Sequence, residues 1–276
     1  MGSGASKPRD TVTLTEPVGG EGGENFSEAL RTNLQRLFLY ASSSDAGVQR
    51  EVAERLANEA VLRERQEQIV KLGGLTLLVP LAQSPDVEVQ RLATHALANL
   101  SALAANQLAI AEVPGGLEAL AVLLGSAHAE VQRQAAKTVA NISVVPATMK
   151  ALAARGCLQP LLAMLSSPLP RTRVEAIAAV SNLAVDDANE RMLVQGGALA
   201  KVLATLGASP AAFQAPSDAD MAVQVARALR NLTAQPEHAR QLLGLGGREA
   251  MACLMGLRND NVSQQCAVCQ EHLNKA

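Results

Sequence analysis

An internal repeat of about 41 residues constrains the fold of this chain more than any other feature. The tripeptide Val-Gln-Arg occurs three times, at steps of 41 and 42 residues. An asparagine lies ten residues after each valine, and the series continues beyond the third copy. Its members are Asn58, Asn99, Asn141, Asn182 and Asn231. Repeats of this length are typical of helical arrays in which each unit buries its apolar face against the next.

A second marker keeps the same register and divides each unit into three helices. The second residue of a glycine pair, or its equivalent, lies 25 residues before the asparagine in three successive units. These pairs begin at Gly73, Gly115, Gly156, Gly196 and Gly246. Glycine suits the left-handed residue that ends a helix, so a short helix precedes each pair and a leucine-rich helix follows. A turn then leads to a third helix that carries the asparagine.

The third helix shows an apolar stripe at helical spacing. Its positions lie six, five and two residues before the asparagine and one residue after it. In three units they are Ala93, Thr94, Leu97, Leu100; Ala135, Ala136, Val139, Ile142; and Ala176, Ile177, Val180, Leu183. The sequence therefore predicts an all-α, right-handed superhelical solenoid of about five to six three-helix repeats. The predicted boundaries are a disordered leader over 1–25 and an array over 26–276, with repeats 27–66, 67–107, 108–149, 150–189, 190–239 and 240–276.

Composition narrows the classes of function. The 24 basic and 26 acidic residues nearly balance, which argues against a general nucleic-acid binder. Three phenylalanines, one tyrosine and no tryptophan leave few rings for base stacking. No catalytic motif stands out, and solenoids lack the deep apolar pockets that small molecules require. We therefore expect no enzyme, no catalytic residues, no cofactor and no small-molecule substrate.

The Cys266-x-x-Cys269 motif, with Cys253 and His272 nearby, raises the alternative of a zinc site. The repeat register favours a structural role instead. Cys266 falls six residues before the asparagine position, where other units carry a buried alanine, and a small thiol fits there. The sequence therefore predicts no metal ligands.

The pentapeptides Leu97-Ala98-Asn99-Leu100-Ser101 and Val139-Ala140-Asn141-Ile142-Ser143, with the Gly-Gly-Leu starts of the second helices, resemble the armadillo-repeat family. The resemblance implies that third helices line a concave groove. It also implies that Asn99, Asn141, Asn182 and Asn231 bind the backbone of an extended partner peptide, for which an amide offers both a donor and an acceptor. The alternative is that each asparagine only ties its helix end to a neighbouring unit.

The charges beside the asparagines suggest what the groove would take. The nuclear-import branch of the family carries tryptophan four residues before the asparagine, whereas this chain has His95, Lys137 and Arg227 at three of those positions. An import-type adaptor is therefore the least expected function. Arg91 and Arg133 would join these cations in binding an acidic or phosphorylated segment. The alternative is an ordinary solvated face.

Two further segments bear on function. Phe213 lies in the longer loop of the fifth unit, where it would anchor a partner or fill a local gap. Met1-Gly2-Ser3-Gly4-Ala5-Ser6 fits an N-myristoylation signal at Gly2, with chance or a cloning scar as the alternative. A short array behind such a signal resembles the fungal vacuolar and apicomplexan armadillo-repeats-only adaptors.

The sequence thus predicts a non-catalytic adaptor that binds a protein segment along its groove, with a membrane surface as a second partner through the myristoyl group. Its predicted location is the cytoplasm, peripherally on an organelle or the plasma membrane. The alternative is a structural component of a larger cytoskeletal or axonemal assembly.

Overall fold

The computed structural model describes residues 45–206 and 216–276, together with residues 32, 36, 37, 40 and 43. Gly2 and Phe213 lie outside these residues. The described chain forms helices and turns without a strand. The first helix whose bounds the structure gives is α1 (Ala46–Val61), the third helix of the first unit.

Five three-helix units follow. The second unit contains α2 (Arg63–Lys71), α3 (Gly74–Ala82) and α4 (Val87–Ser101). The third contains α5 (Ala104–Glu112), α6 (Gly116–Leu124) and α7 (Ala129–Ile142). The fourth contains α8 (Pro146–Ala154), α9 (Leu158–Met164) and α10 (Pro170–Leu183). The fifth contains α11 (Asp187–Gln195), α12 (Ala198–Ala204) and α13 (Pro216–Leu232). The sixth contains α14 (Pro236–Gly244), α15 (Gly247–Met255) and α16 (Asp260–Lys275).

The observed units begin earlier than the predicted repeat boundaries. Each predicted boundary from 66/67 to 239/240 falls inside a first helix, and the first helices start at residues 63, 104, 146, 187 and 236. The glycine pairs and asparagines mark the later two helices of a unit, whereas the first helix has no uniform starting residue. The sixth unit is a full three-helix unit.

A glycine in the left-handed conformation precedes the second helix in each of the five units. These residues are Gly73, Gly115, Gly156, Gly197 and Gly246, with φ between 76° and 86°. In the fifth unit this is the second residue of the pair Gly196-Gly197, so the markers are shifted there by one residue. The second residue of a pair is glycine for a different reason, as Gly116 shows. A Cβ atom there would lie 2.6 Å from Val113 Cγ1 and 2.8 Å from the Ile110 carbonyl oxygen, so a side chain does not fit.

The apolar stripe of the third helices forms the core between neighbouring units. All twelve residues named above are at most 2% exposed. Third helices of successive units make the most extensive contacts in the chain, whereas their second helices barely touch. Elements on the inner side of a curved stack lie closer together than those on its outer side. The third helices therefore line the concave side of the solenoid.

Candidate partner-binding face

The candidate site is the concave surface of α4, α7, α10 and α13, called here the third-helix face. Its asparagines link neighbouring units. Asn141 Nδ2 donates to Ser101 Oγ at 2.9 Å, Asn182 Nδ2 to the Ala140 carbonyl oxygen at 2.8 Å, and Asn231 Nδ2 to the Ser181 carbonyl oxygen at 2.7 Å. Each amide bridges to the preceding third helix. This geometry agrees with the alternative in which asparagine ties units together.

The asparagines differ in what they leave available to a partner. Asn182 and Asn231 are only 7% and 8% exposed. Their Oδ1 atoms already accept hydrogen bonds from Arg227 and Arg230. Asn99 and Asn141 are partly exposed, and no donor of the described chain reaches their Oδ1 atoms. Asn141 can still accept a bond from a partner's backbone, and so can Asn99.

The sixth unit repeats this linkage with a different residue. His272 occupies the asparagine position of α16, and its Nδ1 lies 3.4 Å from Thr233 Oγ1. Thr233 stands two residues after Asn231, as Ser101 stands two residues after Asn99. The histidine thus makes the contact that Asn141 makes with Ser101.

Two of the predicted groove cations are neutralised on their own helices. Arg91 Nε and Nη2 donate to the carboxylate of Glu88 at 2.8 and 2.6 Å. Arg133 pairs in the same way with Glu130, at 3.0 and 2.6 Å. Each glutamate lies three residues before its arginine, a spacing that places both side chains on one helix surface. These glutamates were not among the predicted site residues, although the repeated Glu-x-x-Arg spacing could have shown them.

The middle of the face is balanced in charge. Burial, and then the nearby Arg91 charge, lower the pKa of His95, so its imidazole is neutral at pH 7. His95 Nε2 lies 3.4 Å from Asn99 Nδ2. Burial raises the pKa of Glu175, against the opposing effect of the Lys137 and Arg133 charges. The structure therefore brings four of the five predicted basic groove residues together among carboxylates, namely Arg91, His95, Arg133 and Lys137.

The next part of the face is different, because two arginines meet there without an acid. Arg227 Nη2 on α13 donates to Asn182 Oδ1 on α10. Arg230 Nε and Nη2 donate to Asn231 Oδ1 at 2.9 and 2.8 Å. No carboxylate oxygen of the described residues lies within 4.0 Å of either guanidinium. Burial, and then the Arg230 charge, lower the pKa of Arg227. Arg230 was missed in the sequence because its position is not one of the repeated groove positions.

The two cysteines of the Cys-x-x-Cys motif lie in the hydrophobic core. Cys266 and Cys269 are fully buried and free. Burial, and then the neighbouring Cys269, raise the pKa of Cys266 to about 12, which suppresses the reactive thiolate. In the part of the chain that the structure describes, no group of three His, Cys, Asp or Glu residues could hold a metal ion.

None of the described helices alone is both long and apolar enough to cross a bilayer. The pair Ala104–Glu112 and Gly116–Leu124, bent by 94°, meets the requirement only when the two helices are taken together.

These repeats and their continuous inner face define a helical repeat scaffold, a class that is typically non-catalytic and protein-binding. Residues 31–210 match the model of the family described as Armadillo-like. The chain therefore belongs to that family, and the predicted fold class is confirmed. A search among curated proteins gave no match.

Solved structures of similar fold include engineered and natural proteins. An engineered protein from a structural genomics consortium has a TM-score of 0.76 and 28% identity, covering 88% of this chain and 97% of its own. A designed armadillo repeat protein in complex with the peptide (KR)4 has a TM-score of 0.73 and 24% identity, covering 87% and 99%. A chain from a structure on the interaction between cadherin and β-catenin has a TM-score of 0.74 and 18% identity, covering 87% and 44%. The last two show the fold alone.

Proposed function

We propose that this protein is a non-catalytic adaptor that holds a segment of a partner protein along its third-helix face. The observation that carries the proposal is the continuity of this face. Asn141, Asn182 and Asn231 fasten each third helix to the one before it, so the surface is fixed before a partner arrives. A preformed surface avoids part of the entropic cost of binding.

The solved structures support this type of binding. One armadillo repeat protein of similar fold binds the peptide (KR)4, and another is described in its interaction with cadherin. The charges of the present chain favour a different peptide. Arg227 and Arg230 lie on the face without a carboxylate. A basic segment would be repelled at these positions, so the proposed partner segment is extended and acidic rather than a basic import signal.

The proposal includes attachment to a membrane through a myristoyl group on Gly2. Its support is the Met-Gly-x-x-x-Ser pattern at the start of the sequence. A single myristoyl chain gives only marginal membrane affinity, so a partner protein would supply the second attachment. The intact mass of the native protein and of a Gly2→Ala variant, with membrane fractionation, tests this part. An unmodified native protein would refute it.

A matched pair of charge reversals tests the role of the third-helix face. Lys137→Glu changes α7 on this face, and Lys150→Glu makes the same change on the exposed surface of the first helix α8. We expect Lys137→Glu to lose proteins that copurify with the native chain, as measured by quantitative mass spectrometry, whereas Lys150→Glu retains them. Equal retention by both variants would contradict the proposal and favour a structural role through the outer surface.

A further inference from the structure

We propose that Arg227 and Arg230 together form a binding site for one anionic side chain of the partner segment, either a carboxylate or a phosphorylated residue. The inference rests on the proposed function and assigns the chemistry of one position on the third-helix face. It also separates this pair from the other arginines of that face, which are already neutralised.

The first argument is the number of hydrogen-bond donors left unused. A guanidinium carries five N–H donors in a planar fork. Arg227 uses one nitrogen, Nη2, in its bond to Asn182. Arg230 uses Nε and Nη2, both on the same acceptor oxygen of Asn231. Most of the N–H groups of the pair are therefore available, and a carboxylate or phosphate offers the acceptors that match them.

The second argument is that the asparagines position both guanidinium groups. Asn182 and Asn231 are themselves held by bonds to the preceding third helices, at 2.8 and 2.7 Å. Arg227 thus spans from α13 to α10, and Arg230 is held beside it on α13. The side chains are ordered before the anion binds, which lowers the entropic cost of forming charge-assisted bonds.

The third argument is the contrast with neighbouring units. Arg91 and Arg133 each bind a glutamate on their own helix, so an incoming anion would have to displace it. At the positions that correspond to Arg227, α10 has Ala178 and α16 has Val268. Neither side chain can neutralise the pair, and Ala178 leaves space on the α10 side.

The charges of the two arginines also favour the binding of an anion. Both arginines are partly buried, and burial together with the Arg230 charge lowers the pKa of Arg227. Arginine nevertheless stays protonated in proteins. Two adjacent cations with reduced hydration repel each other, and an anion that binds both removes this repulsion. A phosphate dianion would match the charge of the pair, whereas a carboxylate would neutralise half of it.

The test uses fluorescent octapeptides and the full-length protein. The probes are alternating Glu and Asp, alternating Gln and Asn, alternating Lys and Arg, and the Gln–Asn peptide with one central phosphoserine. Fluorescence anisotropy measures their affinities at low and at physiological salt. We expect the acidic or the phosphoserine peptide to bind, and the neutral and basic peptides to bind at least about tenfold more weakly. The stronger binder of the two identifies the source of the anion.

Four variants with the same change in charge locate the site. Arg227→Gln and Arg230→Gln should each weaken anionic binding about tenfold. Arg91→Gln and Arg133→Gln remove one charge from the same face but should change the affinity less than about twofold. Among the described residues the Arg230 guanidinium donates only to its sequence neighbour, so Arg230→Gln does not break a link between units. Thermal unfolding of all four variants confirms that the comparison is made on folded proteins.

Two results would overturn the inference. Equal weakening by all four variants would show general attraction to a charged face, and unchanged affinity in Arg227→Gln and Arg230→Gln would place the anion elsewhere. If either occurs while Lys137→Glu still loses copurifying proteins that Lys150→Glu keeps, the inference fails and the proposed function stands. If Lys137→Glu and Lys150→Glu also behave alike, the proposed function fails as well.

Discussion

The asparagine that marks the repeat in the sequence forms a hydrogen bond to the preceding unit in three of the repeats. The resemblance to armadillo proteins predicted a peptide-binding ladder of four asparagines, and that role stays a prediction, with Asn99 and Asn141 the more exposed of the four. Asn182 and Asn231 are nearly buried. Their Nδ2 atoms donate to carbonyl oxygens of the preceding third helix, and their Oδ1 atoms accept from Arg227 and Arg230. Spacing identified these residues but could not show where their amide groups point, because that depends on the packing of the next unit.

Replacement of one linking asparagine should destabilise the array. Asn182→Ala removes the bond to the Ala140 carbonyl oxygen, which then keeps, among the described side chains, only the Ser143 Oγ donor at 3.0 Å, and it removes the acceptor of the Arg227 bond. We expect a cost of about 1–2 kcal/mol for the loss of these two bonds. Asn58→Ala is the matched control, because Asn58 occupies the same position of α1 but is exposed and makes no side-chain hydrogen bond within the described part of the chain. Urea unfolding measures both. An equal, small effect of the two variants would contradict the linking role.

The salt bridge between the first two units predicts a dependence of stability on pH. Arg50 Nη2 lies 2.5 Å from Asp86 Oδ2, and this hydrogen bond, with the Val89 backbone N–H, lowers the pKa of Asp86 to about 2. An unfolded aspartate has a pKa of about 3.9. The unfolded chain therefore binds more protons between these values. The stabilisation is complete above about pH 4 and is lost as the pH falls through about 2.

The Asp86→Asn variant isolates this contribution from other carboxylates. Asparagine keeps the ability to cap the N-terminus of α4 but cannot titrate. We expect the difference in unfolding midpoint between native and variant proteins to be largest near neutral pH and to shrink as the pH approaches 2. A difference that stays constant from pH 7 to pH 2 would show that Asp86 is not paired with Arg50 in solution.

At the scale of elements, the sequence predicted the third helices, whose marker residues recur from unit to unit. It did not predict the starts of the first helices, which carry no repeated residue. The third-helix stripe was confirmed because its apolar positions repeat at helical spacing and are buried in the core of the second to fifth units. The predicted repeat boundaries do not coincide with the starts of the first helices, because those starts have no common signal: α2 and α5 begin without a side-chain cap and α8 begins with proline. The shift at Gly197 was hidden because both residues of that pair are glycine.

The turn between the first and second helices should not tolerate a side chain at Gly116. An added Cβ would lie 2.8 Å from the Ile110 carbonyl oxygen, which is backbone and cannot move aside. We expect Gly116→Ala to destabilise the protein by about 1–3 kcal/mol. Gly244→Ala, at the exposed end of α14, adds a methyl group with nothing within 4 Å. It should be neutral or stabilising by up to about 1 kcal/mol, in the same thermal unfolding assay.

At the scale of the whole molecule, the third-helix face changes in charge along the array. The arginines of α4 and α7 carry their own glutamates, whereas Arg227 and Arg230 of α13 carry none. Sequence alone suggested a basic groove centred on the second and third units. The unneutralised charge lies instead in the fifth unit, because Arg91 and Arg133 each follow a glutamate by three residues, whereas Gln224 holds that position before Arg227.

Site-specific photo-crosslinking in cells tests most directly which surface holds the partner. A photoreactive amino acid replaces Lys137 on the third-helix face in one protein, and Val122, which is 66% exposed on the second helix α6, in another. The proposed function predicts that light produces discrete adducts with partner proteins from position 137 and none above background from position 122. Adducts from position 122 alone would contradict it, because they would place the partner on the outer surface of the array.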